Sequence, residues 1–135
     1  MNTTQLETVW APRLLGLLRI VAAVIFMAHG TQKLLGFPAP PESGQPPLLS
    51  LIGVGAVMEL VGGLLLVLGL FTRPVAFLLS GEMAVAYWMF HAPSSFYPVV
   101  NEGDAAILYC FLFLYLVARG PGAFSVEGAR AGRRR

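Results

Sequence analysis

The sequence predicts an all-α membrane domain: a bundle of four transmembrane helices, up-down in topology, with both termini cytoplasmic. Three observations carry this. The 135 residues are 56% hydrophobic and 12% charged, against about 25% charged in an ordinary soluble domain. The apolar residues gather into four blocks, Leu14 to Leu35, Leu48 to Phe71, Pro74 to Ala92 and Ala105 to Ala118, separated by proline- and glycine-rich breaks. The basic residues outside those blocks all fall on one side of the alternation.

A helix needs about 20 apolar residues to cross a bilayer core, with a range of about 17–25. The first three blocks qualify. The fourth reaches spanning length if its helix runs from Asn101 to Arg119. A soluble bundle would show polar stripes at helical spacing, and these blocks lack them. The expected helices are therefore about 13–36, 48–71, 74–92 and 101–119 in a single membrane domain, followed by a basic cytoplasmic tail, 120–135. Gly36, Pro38, Pro40, Pro41, Pro46 and Pro47 end the first block. Thr72-Arg73-Pro74 reads as a tight turn with Pro74 at the first helical position. Pro93 and Pro98 bracket the third connection, and Gly120-Pro121-Gly122 stops the last helix. The first block is longer than the h-region of a signal peptide and is interrupted by Arg19, so it reads as a retained helix.

With four spans, Arg13, Arg73, Arg119, Arg130, Arg133, Arg134 and Arg135 share one side, and the loops at 36–47 and 93–101 carry no Lys or Arg. The positive-inside rule then puts both termini in the cytoplasm of a bacterial-type inner membrane. The terminal arginines can touch anionic lipid, at about 1 kcal/mol per residue near the surface. They form too short a basic run to indicate nucleic acid. The lone cysteine, Cys110, cannot cycle an intramolecular disulfide and excludes a thiol oxidase. No Glu-x-x-His pair supports a di-iron carboxylate bundle, and four short helices without a repeat argue against an autonomous transporter.

The polar groups inside the blocks are the candidate site. A helix rises about 1.5 Å per residue. On that scale Arg19 lies roughly 9 Å, Glu82 roughly 12 Å and Glu59 roughly 18 Å from the cytoplasmic ends, with His29 and His91 near the outer face. Three unpaired charges at such depths would cost roughly 8–10 kcal/mol. They should face the interior and find partners, Arg19 and Glu82 being the pair best matched in depth. Glu59 is left to hold a proton, share Arg19 or reach His29. Arg19, Glu59 and Glu82 are thus the expected proton-handling cluster. At about 100° per residue, Arg19, Phe26, His29 and Lys33 share one face of the first helix. Gly55, Gly62 and Gly63 flank Glu59 and admit a close neighbour. In a regular third helix, His91 points away from Glu82.

His29, Gln32 and Lys33 end the first helix at the outer interface, where Asp104 begins the fourth and Asn101 reads as its N-cap. With Tyr87, Trp88 and Tyr97 nearby they supply donors, acceptors and aromatic walls. A quinone head group needs two bonding partners for its carbonyls and a flat surface to stack on. His29, Gln32, Lys33 and Asp104 are therefore the candidate cofactor-binding residues. Haem held by His29 and His91 is disfavoured by the angular position of His91, and no metal ligand set is expected.

The run Arg19…His29-Gly30-x-Gln32-Lys33-Leu34-x-Gly36 resembles the first helix of the DoxX family. Glu59-Leu60-Val61-Gly62-Gly63, Gly69-Leu70-x-Thr72-Arg73, Glu82, Asn101-x-Gly103-x-Ala105…Tyr109 and Gly120-Pro121-Gly122 extend the resemblance over roughly 13–127. Relatives commonly read Asn-Gly-Gly-Glu before the last helix, where this chain reads Asn101-Glu102-Gly103-Asp104. The resemblance implies a four-helix inner-membrane bundle, in some members linked to quinone-coupled redox complexes with soluble partners. Two functions follow as expectations: a quinone-linked membrane subunit of a redox complex, not self-sufficient as an enzyme, or a non-catalytic accessory or assembly subunit packed against a larger complex. The lipid bilayer and other protein subunits are the expected partners.

Overall fold

The long helices are set by where the apolar runs begin and end. In a computed structural model, which describes residues 2–133, the chain is all-helical, with no strand among the described residues. Arg134 and Arg135, counted above toward the basic end, lie outside the described residues. Helix α1 runs from Thr3 to Leu35, ten residues earlier than the apolar block predicts. Its start is fixed by a capping box, in which Asn2 and Gln5 satisfy each other's backbone N–H groups. A π-helical stretch, Leu6–Trp10, joins that first turn to the apolar run. Gly36 ends α1 at φ 67°, and the Phe37 N–H returns to the Thr31 carbonyl at 3.3 Å.

Helix α2 spans Leu51–Leu68, capped by Ser50, whose hydroxyl accepts the Gly53 N–H at 3.0 Å. It begins three residues later than expected because Pro46 and Pro47 keep the preceding chain extended and the Ser50 cap decides the start. Helix α3 covers Thr72–Ala86, and a π-helical turn, Tyr87–His91, continues it without a break. The tight turn precedes Thr72 instead of containing it: Gly69 and Phe71 hold positive φ, and Thr72 and Arg73 are already helical. Asn101 does not cap the last long helix. It closes a short turn, α4, Pro98–Asn101, and α5 starts three residues on, at Asp104–Arg119, with Gly103 as its N-cap. At about 1.5 Å per residue α5 is about 24 Å long, short of a hydrocarbon core of about 30 Å. The segment expected as a tail forms a further helix, α6, Val126–Gly132, capped by Ser125.

Helix α1 packs most closely on α2, and α3 on α5, with α2 against α3 joining the two pairs. The interior is made by small residues and a few aromatic rings. A Cβ built on Gly30 would stand 2.7 Å from the Leu60 nitrogen and 2.8 Å from the Ala56 oxygen. One built on Gly63 would meet Met27 at 2.8 Å. Those glycines let the α1 and α2 backbones touch. Phe26, Tyr109 and Phe113 form an aromatic knot between α1 and α5, with centroids 4.9–5.5 Å apart. The outside inverts the soluble pattern: Leu17, Val21, Val57, Leu64, Phe77, Leu108 and Phe111 are exposed, while Arg19 is 0% exposed. Two helices, Thr3–Leu35 and Leu51–Leu68, are long and apolar enough to cross a membrane on their own. A large exposed apolar surface around a buried charge is what lipid, not water, favours.

Candidate functional site

Each buried charge finds its surroundings from the direction its helix gives it, and the three do not meet. Arg19, on the inner face of α1, lies against the end of α2. Its Nη1 donates to the Leu66 carbonyl and, at 2.8 Å, to that of Val67. Its Nε donates to Pro121 O at 2.8 Å, and Nη2 to Ala123 O at 3.2 Å and Phe124 O at 2.9 Å. A guanidinium has five N–H donors, and all five are taken by backbone carbonyls. Two of these belong to the last turn of α2, which carries the negative end of the helix dipole, and the Leu66 carbonyl also accepts the Gly69 N–H at 3.1 Å. The expected Arg19–Glu82 pair is therefore not formed. Arg19 instead ties the chain after Gly120-Pro121-Gly122 back onto the bundle. The same segment is fastened by Glu127, whose Oε1 accepts the Thr72 N–H at 2.6 Å. The Ala123 N–H adds a bond to the Pro12 carbonyl at 2.8 Å. Arg73 does similar work for α5, donating to the Val117 and Ala118 carbonyls.

At the other end of the bundle Lys33 turns inward instead of reaching for water. Its Nζ lies 2.7 Å from Glu59 Oε1, the lysine 30% and the glutamate 5% exposed. The pair forms because Gly30 seats α1 on α2 between Ala56 and Leu60, which sets Glu59 about one turn below Lys33 and within reach of its long side chain. Glu82, on α3, faces the same space, and Gly55 makes room for it: a Cβ there would come 3.0 Å from Glu82 Oε1. Both Glu59 Oε2 and Glu82 Oε2 are buried and without a hydrogen-bond partner among the described residues. They line a cavity of about 570 Å³. Its walls come from Phe26, Met58, Met83 and Tyr109 within the bundle and from Leu51, Ile52 and Phe90 toward its loop end. The volume falls in the usual range of ligand sites, about 300–1,000 Å³, and the mostly apolar lining with a few convergent polar groups is typical of them.

The site residues expected from sequence divide accordingly. Glu59, Glu82, Lys33 and His29 line one cavity; Arg19 is engaged elsewhere. Gln32 and Asp104 are not among the lining residues, and Asp104 is exposed at the first turn of α5. The acidic group at the mouth is Glu102, two residues earlier, held in the left-handed region at φ 57°. His91 also lines the cavity, against the expectation that it faces away from Glu82. The wide π-helical turn from Tyr87 to His91, in which the Ala92 N–H bonds the Tyr87 carbonyl at 2.9 Å, winds more slowly than an α-helix and swings His91 back. His91 Nδ1 is bonded to the Asn101 carbonyl at 2.9 Å. The sequence places Glu102 near the outer cluster and Tyr109 within the family pattern without marking either as a site residue, and it gives no carbonyl clamp. The clamp had a signal, since Gly-Pro-Gly followed by a Ser125 cap turns the chain into a new helix.

A family model described as DoxX matches residues 14–92. An uncharacterized protein of Haemophilus influenzae is 45% identical over 125 residues, spanning 87% of this chain and 91% of that protein. The inner membrane protein YphA of Escherichia coli is 32% identical over 127 residues, 86% of this chain and 89% of YphA. No solved structure matches the chain.

Proposed function

Taking as premise that the chain belongs to the DoxX family and is an integral membrane protein of the bacterial inner membrane, we propose that it is a quinone-binding subunit of a membrane redox complex. The observation that carries this reading is the cavity holding two unpartnered carboxyl oxygens beside an ion pair, Lys33–Glu59. Its apolar walls suit a lipid-soluble ring, and its orphaned oxygens suit a ligand with polar atoms to offer. A bound quinone supplies a two-electron, two-proton couple, its electrons exchanged with a partner redox subunit. The residues of this chain supply binding and protons. Glu82, whose Oε2 has no partner among the described residues, would hold one carbonyl oxygen of the ring, and the Lys33 ammonium, anchored by Glu59, would donate to another. Phe26, Tyr109 and Phe90 provide faces against which a ring packs. In this reading the four long helices span the membrane in up-down order. The basic ends of α1, α3 and α5 and the terminal segment lie in the cytoplasm, with the loops at 36–47 and 93–101 outside.

The test is mass spectrometry of an organic extract of the protein purified in mild detergent. Near-stoichiometric quinone is expected from the native chain, with severalfold less from Glu82→Gln and Glu59→Gln variants that elute as the native protein does. Lipid alone, in preparations that never met competing detergent, refutes the reading.

A second reading has one observation in its favour. Arg19, the deepest cation, satisfies backbone carbonyls and leaves no donor for chemistry. An accessory subunit that packs against a larger complex needs such stiffening and no ligand. It predicts that the Glu82 and Glu59 variants lose yield or assembly with no change in bound quinone.

A further inference from the structure

We propose that the carboxyls of Glu59 and Glu82 share one proton and exchange it only with the end of the bundle that carries the loops, through a mouth at Glu102 and His91. This deepens the proton-handling part of the reading above and does not need quinone to be the ligand.

Charge balance gives the proton count. Two carboxylates and one ammonium from Lys33 would leave a net negative charge in a low-dielectric cavity. A net charge held in a low-dielectric membrane interior is costly. One proton between the two carboxyls makes the trio neutral, and Glu59 Oε2 and Glu82 Oε2 are free to carry it. Glu59 is 4% exposed, so the proton needs a route.

The bundle offers a route in one direction. Toward the Arg19 end the space below the cavity is filled by Phe26, Leu66, Leu79, Phe113 and Leu116, each at most 2% exposed. The hydroxyl of Ser80 there is occupied by the Cys110 carbonyl at 2.8 Å. Beyond them the Arg19 guanidinium has every donor engaged. A hydroxyl unpartnered among the described residues, Thr72 Oγ1, is buried at that end, about 15 Å along α3 from Glu82, and the close-packed apolar layer between them does not admit water. Toward the loop end the lining mixes apolar side chains, Leu51, Ile52 and Phe90, with titratable or charged ones. The latter are His29 and Lys33 from α1, His91 from the end of α3 and Glu102 ahead of α5, with Tyr109 deeper in the bundle.

Glu102 is held at that mouth by the backbone. Its left-handed conformation, φ 57°, is one that a non-glycine residue adopts only at a cost. The neighbouring bonds impose it: the Gly103 N–H is received by Asn101 Oδ1 at 2.8 Å, and Asn101 Nδ2 donates to the Ser95 carbonyl at 2.8 Å. His91 Nδ1 meets the Asn101 carbonyl at 2.9 Å, which ties the loop to the end of α3. An exposed carboxylate beside a histidine is a suitable relay between water and a buried acid, because both change protonation without large motion.

The experiment uses the full chain in liposomes of quinone-free lipid. Vesicles are separated into the two orientations by whether trypsin reaches the Arg130 and Arg133 segment. Dicyclohexylcarbodiimide modifies protonated carboxyls in apolar surroundings, and modification at Glu59 and Glu82 is read by mass spectrometry. With the loops facing outward, labelling should rise severalfold when the external pH alone is lowered, and stay level when only the internal pH is lowered. Inverted vesicles should show the reverse. Glu102→Gln should slow the response to an external pH jump severalfold while leaving the extent at long times unchanged. Labelling that follows the pH at the Arg19 end, follows both sides equally, or does not occur at any pH overturns the proposal. The sidedness of the native chain decides the matter even if Glu102→Gln fails to fold. Because no quinone is present, sided labelling with no quinone in the native extract would leave this inference standing and remove the quinone reading; unsided labelling with quinone bound would do the opposite.

Discussion

Replacing Arg19 with methionine should detach the segment after Gly120 from the rest of the bundle. Methionine keeps the length of the stem and removes all five donors. Of the five carbonyls released, that of Leu66 is in a buried bond and those of Val67, Pro121, Ala123 and Phe124 are in partly buried ones. The Leu66 carbonyl keeps the Gly69 N–H at 3.1 Å, and the four partly buried carbonyls recover water as the segment loosens, so each of the five bonds lost counts on the order of 0.5 kcal/mol net. The total is about 2–3 kcal/mol. At roughly 4 °C per kcal/mol for a chain of this size, the unfolding midpoint in detergent should fall by on the order of 8–12 °C. Arg19→Lys should recover only part of this, since an ammonium has three donors and no planar fork. The assay pairs a thermal unfolding scan with limited trypsin digestion, which should reach Arg130 and Arg133 far sooner in Arg19→Met. A methionine variant as stable and as protease-resistant as the native chain would refute the clamp. So would full rescue by lysine, which would reduce Arg19 to a point charge.

Three further outcomes follow from the same geometry. Lys33→Met should destabilise the chain by about 3–5 kcal/mol if Glu59 stays ionised, because a buried charge loses its partner. Lys33→Met combined with Glu59→Gln should recover most of the loss, giving a double-mutant coupling above about 1 kcal/mol in thermal or denaturant unfolding. Gly30→Val should force α1 from α2, since its Cβ meets backbone atoms at 2.7 and 2.8 Å; a loss of about 1–3 kcal/mol is expected, read as a lowered midpoint. Glu127→Ala should remove the cap on the Thr72 N–H and lower stability by about 1 kcal/mol, with earlier cleavage of the terminal segment.

The helices were legible because apolar runs and their proline and glycine breaks are local signals. What escaped the sequence depended on small shifts within those helices. The close seating of Gly30 on Ala56 and Leu60 sets Glu59 beside Lys33 and away from Arg19. One wide turn at Tyr87–His91 reverses the facing of His91, and no residue in that stretch announces it. The expected Arg19–Glu82 pair rested on matching depths alone, with every buried charge assumed to need an opposite one. Backbone carbonyls at a helix end are also partners for a guanidinium, and the sequence shows them only as peptide bonds. Asp104 is the position at which the resemblance keeps the acid of the Asn-Gly-Gly-Glu run, but the turn at Pro98–Asn101 gives the cavity mouth to Glu102.

The most direct measurement is photo-crosslinking of the native chain, in its own lipids, with an azido-quinone, followed by peptide mapping. Modification concentrated on the cavity lining, at Met58, Met83, Tyr109 or their immediate neighbours, and suppressed by excess unmodified quinone, is the predicted result. Modification spread over the lipid-facing residues of α1 and α2, undiminished by competitor, would contradict a quinone site in this cavity.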